Sequence, residues 1–314
     1  MNALRSIYII ELMIVNASSK IFNKVSVNQK PLQEPFATTS IDRFEERCFS
    51  MCSLNSKCFA FLVDEQNPSS LKCLLYDIPF NFMTLVPHAI DSVLYSIVQS
   101  FRDCLDWYDA GARETGVYPI RVKEDATKEV RCNMDIEGGG WLVLQHRFDG
   151  NVNFHRNWSE YKNGFGSVGN EFWLGNDLIH YFTNEYKQEM LFKGVRFNGK
   201  YGISRHFEFH VKDESDLYRI GLSPVVGTPC FINEMAFSTY DRDNDGGGKN
   251  CAAEGGGGRG GFWFSYCGGC TINAPYFPVE SVPQRKGLMW FSLMGNKKSL
   301  KSTELMIRRR IHVT

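Results

Sequence analysis

The chain has 314 residues, room for two domains at about 100–200 residues each. Hydrophobic content of 43% and aromatic content of 14% supply a sizeable core, while 35 Lys plus Arg against 35 Asp plus Glu leave no net charge. That balance gives no overall attraction to nucleic acid or anionic membrane. No stretch reaches the roughly 20 apolar residues that span a bilayer, so neither a nucleic-acid partner nor membrane insertion is expected.

Residues 1–17 carry Arg5, an apolar stretch from Ile7 to Val15 interrupted by Glu11, and then Asn16 and Ala17. That order reads as a signal peptide cleaved after Ala17; the competing reading is a first strand or helix of the mature protein. The ten Cys fall into an N-terminal group (Cys48, Cys52, Cys58, Cys73) and a scattered later group (Cys104, Cys132, Cys230, Cys251, Cys267, Cys270). An even count with local clustering predicts disulfides and a secreted, extracellular protein. Zinc is disfavoured, because Cys267-Gly268-Gly269-Cys270 is the sole Cys-x-x-Cys pair and nothing completes a tetrad.

Residues 20–98 read as a first, small domain. Ile41, Phe44, Cys48, Met51 and Cys52 recur at helical spacing, which predicts a helix over 41–52 with Ser40 as N-cap. Residues 58–63 and 72–76 read as paired strands joined by a turn at Asn67-Pro68-Ser69-Ser70. The run Cys-x-x-x-Cys, then Cys-x-Ala-Phe, then Cys-x-Leu resembles the PAN/apple module, a disulfide-stapled α+β fold. The resemblance implies the pairs Cys48–Cys73 and Cys52–Cys58 and a protein- or carbohydrate-binding role. A scaffold that only packs on its neighbour is the alternative.

Residues 101–314 form the second domain. Its motifs are dense: Asp103-Cys104, Gly116-Val117-Tyr118-Pro119, Arg131-Cys132-Asn133, Gly138-Gly139-Gly140-Trp141-Leu142-Val143-Leu144, Glu171-Phe172-Trp173-Leu174-Gly175-Asn176, Asp241-Arg242-Asp243-Asn244-Asp245, Asn250-Cys251 and, near the end, Trp290. Together they resemble the fibrinogen-related domain of ficolins, tachylectins, angiopoietins and the fibrinogen chains. The resemblance implies an α+β fold with a central twisted, mostly antiparallel sheet and a loop-rich C-terminal part that carries binding. Local pattern agrees. The apolar run 141–144 suits a strand covered on both faces; 207–211 alternates, with Phe207, Phe209 and Val211 on the inner side; and 177–182 suits a short helix capped by Asn176. Trp158, Phe165, Phe172 and Trp173 read as core.

Asp241, Asp243 and Asp245 put carboxylates at alternate positions, a pattern that can aim several at one hard cation. An EF-hand is disfavoured because its twelfth position holds Ala252 and the glycine-rich stretch 255–261 follows. The resemblance implies instead a Ca2+ ion on the side chains of Asp243 and Asp245 and the carbonyls of Gly247 and Lys249, with Gly246, Gly247 and Gly248 freeing the chain to turn those carbonyls inward.

The same resemblance implies the disulfides Cys104–Cys132 and Cys251–Cys267 and a ligand pocket around Cys267, following a cis peptide at Tyr266–Cys267. The walls would be Phe262, Trp263, Tyr266, Tyr276 and Phe277, each of which also suits a core role. Acetyl-binding members carry His where this chain has Gly268, so only the amides of Cys267 and Gly268 would donate there. Fibrinogen chains use an acidic residue where this chain has Arg285, which disfavours capture of a peptide N-terminus. Cys230 and Cys270 remain over; a bridge between them is expected, with an intermolecular bond or a Cys267–Cys270 redox pair as alternatives. Asn157-Trp158-Ser159 is a glycosylation sequon.

No His-Glu-x-x-His pair, Gly-x-Ser-x-Gly elbow or phosphate-binding loop is present, so catalysis is not expected. Two functions remain. One is lectin-like pattern recognition of glycans or acetylated groups in innate defence. The other is a matrix or receptor ligand of the angiopoietin-like or tenascin-like kind, with an extracellular protein as partner. Neither a heptad repeat nor a Gly-X-Y period is present, so a homo-oligomer would have to form through the first domain.

Overall fold

The computed structural model describes residues 101–123, 126–253, 259–265, 267, 269–284 and 286–310, and the backbone of six strands in the first hundred residues. The chain divides into two compact units, Met1–Ser100 and Phe101–Thr314.

In the first unit the strands are β1 (Leu12–Met13), β2 (Phe22–Pro31), β3 (Ala37–Ile41), β4 (Ala60–Asp64), β5 (Leu71–Tyr76) and β6 (Leu85–Ile97), in the order β1-β2-β6-β4-β5-β3. The two apolar runs do pair, with Phe61 opposite Leu75 and Val63 opposite Cys73. The start of the expected helix is corrected: Ser40 and Ile41 belong to β3, opposite Lys72 and Leu71. β-Branched Thr38, Thr39 and Ile41 favour a pleated strand, and pairing with β5 satisfies their backbone. The rest of that helix, the turn at 67–70 and Cys48, Cys52 and Cys58 lie outside the described residues, and with them the pairs Cys48–Cys73 and Cys52–Cys58.

The second unit begins with the helix Cys104–Asp109, which Asp103 caps by accepting the Asp106 N–H at 3.0 Å. The strands are β7 (Gly116–Lys123), β8 (Ala126–Asn133), β9 (Trp141–Arg147), β10 (Phe165–Gly166), β11 (Phe172–Trp173), β12 (Gln188–Val195), β13 (Tyr201–Val211), β14 (Ile220–Leu222), β15 (Val225–Gly227), β16 (Cys270–Thr271), β17 (Met289–Trp290) and β18 (Ser302–Arg309). The main sheet runs β10-β11-β9-β18-β12-β13-β14. β15 also pairs with β13, and the β7–β8 hairpin joins through β9. Every pairing is antiparallel. The last strand, β18, enters the middle of the sheet between β9 and β12.

β9 and β12 are buried on both faces. Trp141, Val143, Leu144, Met190, Leu191 and Phe192 have no exposed surface, as the continuous apolar run at 141–144 predicts. The chain enters β9 through Gly138, Gly139 and Gly140, all at positive φ. Glycine is required there, because a Cβ on Gly139 would fall 2.2 Å from Tyr108 and 2.7 Å from the Met134 carbonyl.

β13 departs from simple alternation. Phe209 and Val211 point inward, but so does His206, while Phe207 lies outside beneath the Arg205 guanidinium, 4.8 Å away. The cause is a bulge: Gln188 faces Phe209 and Met190 faces His206, so β13 has one residue more than β12 and the side-chain phase reverses. The helix Asn176–Glu185 also differs from expectation. Gly175 is its N-cap, and Asn176 is the first helical residue, buried, with its Oδ1 accepting the Trp173 indole N–H at 3.0 Å. Trp158, Phe172 and Trp173 are core, whereas Phe165 is half-buried.

Candidate functional site

Between β15 and β18 regular structure nearly stops, and side chains take over the work of satisfying the backbone. The chain emerges from β15 and is fastened at once by the disulfide Cys230–Cys270. Cys270 lies in β16 opposite Trp290, whose indole N–H donates to the Pro229 carbonyl at 2.8 Å; the Ser292 hydroxyl donates to the same carbonyl. The loop before the acidic stretch is therefore pinned to the segment 269–292 by one covalent and two polar links.

The acidic loop comes next. Asp241 Oδ1 accepts the Trp158 N–H at 3.0 Å and the Thr239 hydroxyl at 2.7 Å, so this carboxylate is committed to the start of the helix Trp158–Asn163. Asp243 Oδ1 accepts the Asp245 N–H at 3.2 Å. Asp245 accepts Gly247 N–H on one oxygen at 2.8 Å and Cys251 N–H on the other at 2.9 Å. Two asparagines close the loop from below: Asn244 Nδ2 donates to the Phe237 carbonyl, and Asn250 Nδ2 to those of Thr239 and Tyr240. The expected freedom of Gly246, Gly247 and Gly248 is not used, because none of the three has a positive φ. A Cβ on Gly247 would sit 2.9 Å from Asp245 Oδ1, so a larger residue there would displace that carboxylate.

The donor set suits a hard cation in kind. Asp243 and Asp245 are neighbouring carboxylates joined by a backbone bond, with the carbonyls of Gly247 and Lys249 following in the same turn. Among the described residues no cluster of three or more His, Cys, Asp or Glu is placed to hold a metal, so two carboxylates would have to be completed by carbonyls and water.

Cys251, fully buried, is bonded to Cys267. The Cys267 sulfur lies 3.7 Å from the Lys249 carbonyl oxygen and, being bridged, carries no proton to donate. The crosslink thus holds the acidic loop against the segment that leads to the expected pocket. Tyr266, Gly268 and Arg285 lie outside the described residues, and with Tyr266 the expected cis peptide. Two of the expected pocket walls take the core role that the sequence also allowed. Phe262 and Trp263 are each 2% exposed and pack with Phe231, Phe237 and Phe264 in an aromatic cluster, so they face the core. Tyr276 and Phe277 are half-buried. The Tyr276 hydroxyl donates to the Phe148 carbonyl at 2.8 Å, and its ring lies so close to Gly150 that a Cβ there would be 2.8 Å away.

Sequence reasoning missed what lies beneath Tyr276. Arg147 and Glu171, each 1% exposed, form an ion pair at 3.3 Å. Glu171 Oε1 accepts the N–H groups of Phe148, Asp149 and Gly150, and Oε2 accepts that of Val152. Arg147 donates to the Ala274 carbonyl at 3.0 Å and lies 4.0 Å over the Phe154 ring. Burial acts to raise the Glu171 carboxyl, but Arg147 and the N–H groups of Gly150, Phe148 and Val152 outweigh it, and the group sits below its ordinary 4.5. Beside it, buried Gln145 bridges the Ile272 carbonyl and the Asn273 and Thr303 side chains. One signal was available: Gln145 and Arg147 are polar residues that continue the buried phase of β9.

Three of the histidines are engaged structurally. His146, His180 and His206 each direct Nδ1 at a backbone carbonyl, those of Asn170, Val211 and Ser223. Burial holds His146 and His206 below the usual 6.5. Asn157 is half-buried and caps its helix, Oδ1 accepting Glu160 N–H at 2.9 Å while Glu160 Oε2 accepts Asn157 N–H at 3.0 Å.

An antiparallel sheet closed by its own last strand, three disulfides among the described residues, and a loop lobe built on an acidic turn define the class. The protein belongs to the family of the C-terminal globular domain of fibrinogen beta and gamma chains, which residues 100–310 match. Human angiopoietin-1 is 37% identical over 215 residues, 66% of this chain and 43% of its own length. The protein therefore spans less than half of that relative. The fibrinogen-like globe domains of human ANGPTL6 and ANGPTL2 superpose with a TM-score of 0.63 each, at 32% and 30% identity, over 67% of this chain and 96% and 100% of theirs. These relatives are angiopoietins and angiopoietin-like proteins, not ficolins or tachylectins, and they match the matrix- or receptor-ligand expectation better than the lectin-like one. Among the described residues no helix is long and apolar enough to cross a membrane.

Proposed function

We propose that the protein is a secreted, non-enzymatic ligand of the angiopoietin-like kind, whose 101–314 unit offers its loop lobe to a receptor or matrix protein. The observation that carries this reading is identity of 37% with angiopoietin-1 across 215 residues. Its fit to nearly the full length of two angiopoietin-like domains supports it further. Lectin-like recognition of acetylated groups is weaker, because Gly268 stands where the acetyl-binding His would be and Phe262 is buried. In this reading Ca2+ on Asp243 and Asp245, with the carbonyls of Gly247 and Lys249, stiffens the loop without taking part in chemistry. The first unit adds a PAN/apple-like protein-binding module, supported by its cysteine spacing and its β4–β5 pair.

The test is the secreted full-length protein against an array of extracellular proteins and an array of glycans, each with Ca2+ and with chelator. A specific protein partner with no signal on N-acetylated sugars is expected. Calcium-dependent binding to acetylated glycans, with no protein partner, would replace this reading by the lectin. For the ion, Asp243→Ala is expected to lower the thermal midpoint in Ca2+ but not in chelator; equal loss in both rejects the site.

A further inference from the structure

Net charge is zero over the whole sequence, but the charges are unevenly placed. Two segments, 193–203 and 281–303, together hold eight Lys or Arg and no Asp or Glu. The fold brings these segments to one end of the main sheet. Lys301 N–H donates to the Val195 carbonyl at 2.8 Å, which joins the start of β18 to the end of β12. The following hairpin turns on a 2.8 Å bond from Arg196 N–H to the Lys200 carbonyl, and the Arg196 guanidinium reaches the Leu293 carbonyl at 2.7 Å. On the other side, Val282 N–H donates to the Lys297 carbonyl at 3.0 Å, Ser281 bridges Lys298, and Leu300 N–H donates to the Leu288 carbonyl, two residues from Lys286.

Lys200, Lys297, Lys298 and Lys301 are exposed and Lys286 is half-buried. Four intervening peptide units span at most about 14 Å, so Lys297, Lys298 and Lys301 share one small area. Among the described residues, Lys298 alone of these five has an ion-pair partner, Glu280 at 3.6 Å. Like charges gathered with one acidic partner among them repel one another and raise the local potential, and packing rather than mutual attraction keeps them together. Two exposed aromatic side chains lie on the same segments, Tyr201 at 60% exposure and Phe291 at 54%. Tyr201 faces Val195 across the hairpin, and Phe291 follows Trp290 in the segment that carries Leu293.

We propose that this end of the sheet binds a sulfated polysaccharide chain, at a site separate from the acidic loop. Lysine presents a compact, mobile point charge, suited to sulfate groups spaced along a flexible polymer, and the exposed rings offer flat faces to sugar C–H groups. Three disulfides among the described residues place the protein in an oxidising compartment. There the linear polyanions on offer are sulfated sugars, not nucleic acids. The cations lie on a hairpin and two loops, with no amphipathic helix to insert into lipid. Retention on such a polymer would concentrate a soluble ligand in the matrix.

The experiment is salt-gradient elution of the secreted full-length protein from heparin-agarose, with desulfated heparin as control. Retention beyond about 0.15 M salt on heparin, with flow-through on the desulfated matrix, is expected. The variant K297Q/K298Q/K301Q is expected to lower the slope of log K against log salt by about three, one per lysine, with an unchanged thermal midpoint. If that variant loses its fold, K200Q/K286Q carries the same test with an expected loss of about two. Flow-through of the wild-type protein on heparin overturns the proposal, as does equal retention on the desulfated matrix or undiminished retention of the folded variant. Tighter binding to duplex DNA or to phosphatidylserine vesicles at matched salt also overturns it. The protein-ligand reading is scored on the arrays and stands or falls independently.

Discussion

The sheet and the loop lobe of the second unit solve the same problem by opposite means. In β9, β12 and β18 most backbone groups are paired by neighbouring strands, so the side chains need only be apolar and of fitting size: Leu142, Val143, Leu144, Leu191, Leu305 and Met306 are all buried. Between 228 and 299 few strand neighbours exist, and single atoms of Asn244, Asn250, Asn273 and Ser299 take over, together with two disulfides. Volume-conserving apolar changes are tolerated in the first region, whereas in the second a polar side chain cannot be exchanged without orphaning a backbone group. The Arg147–Glu171 pair belongs to both, rising from β9 and organising the loop under Tyr276.

The largest effect is therefore expected at that junction. Arg147→Met leaves the Glu171 carboxylate buried without its cation and should cost about 3–5 kcal/mol, read by denaturant unfolding. Because the folded Glu171 is depressed below 4.5, its contribution is complete above that value and is lost as pH falls through the folded one. Glu171→Gln should accordingly flatten the acid limb of the stability profile; an unchanged acid limb would remove the pair from the account.

A smaller loss separates the two regions directly. The double change C230S/C270S opens a crosslink across 40 residues and should cost about 2–4 kcal/mol. Hydrogen exchange should rise at 228–231 and 269–272 while β9 and β12 keep their protection. Uniform loosening of the sheet would show that the lobe is not an independent layer of stability.

The smallest effect lies at the helix cap. Asn157→Ala should cost about 1 kcal/mol, and Asn157→Asp should restore the cap while removing the sequon. A mass decrease of one glycan in both variants would show that the asparagine is modified; no mass change beyond the substitution would show that it serves only as a cap.

Much of this was legible in the residues, and each failure has a physical cause. The apolar run 141–144 announced a doubly covered strand because nothing but burial explains four such residues in a row. The phase of β13 was legible only as far as Phe209 and Val211, because the bulge that exposes Phe207 is set by register against β12. Asp241 matched its neighbours as a cation ligand, yet its Oδ1 belongs to the Trp158 N–H, 83 positions away. Phe262 was as aromatic as a pocket wall should be, and its burial depends on Phe231 and Phe264.

By itself the sequence determined the family, the sheet's central strands, the carboxylates at 243 and 245, and the spacing of its cysteines. Those properties reside in local pattern or in residue types that survive any packing. Tertiary structure alone decided that Arg147 and Glu171 meet under Tyr276, that Asp241 accepts the first N–H of a helix, and that two acid-free segments converge at one end of the sheet. The first follows from β11 pairing with β9, and the last from β18 entering the sheet between β9 and β12, a pairing across more than a hundred residues that no local pattern encodes.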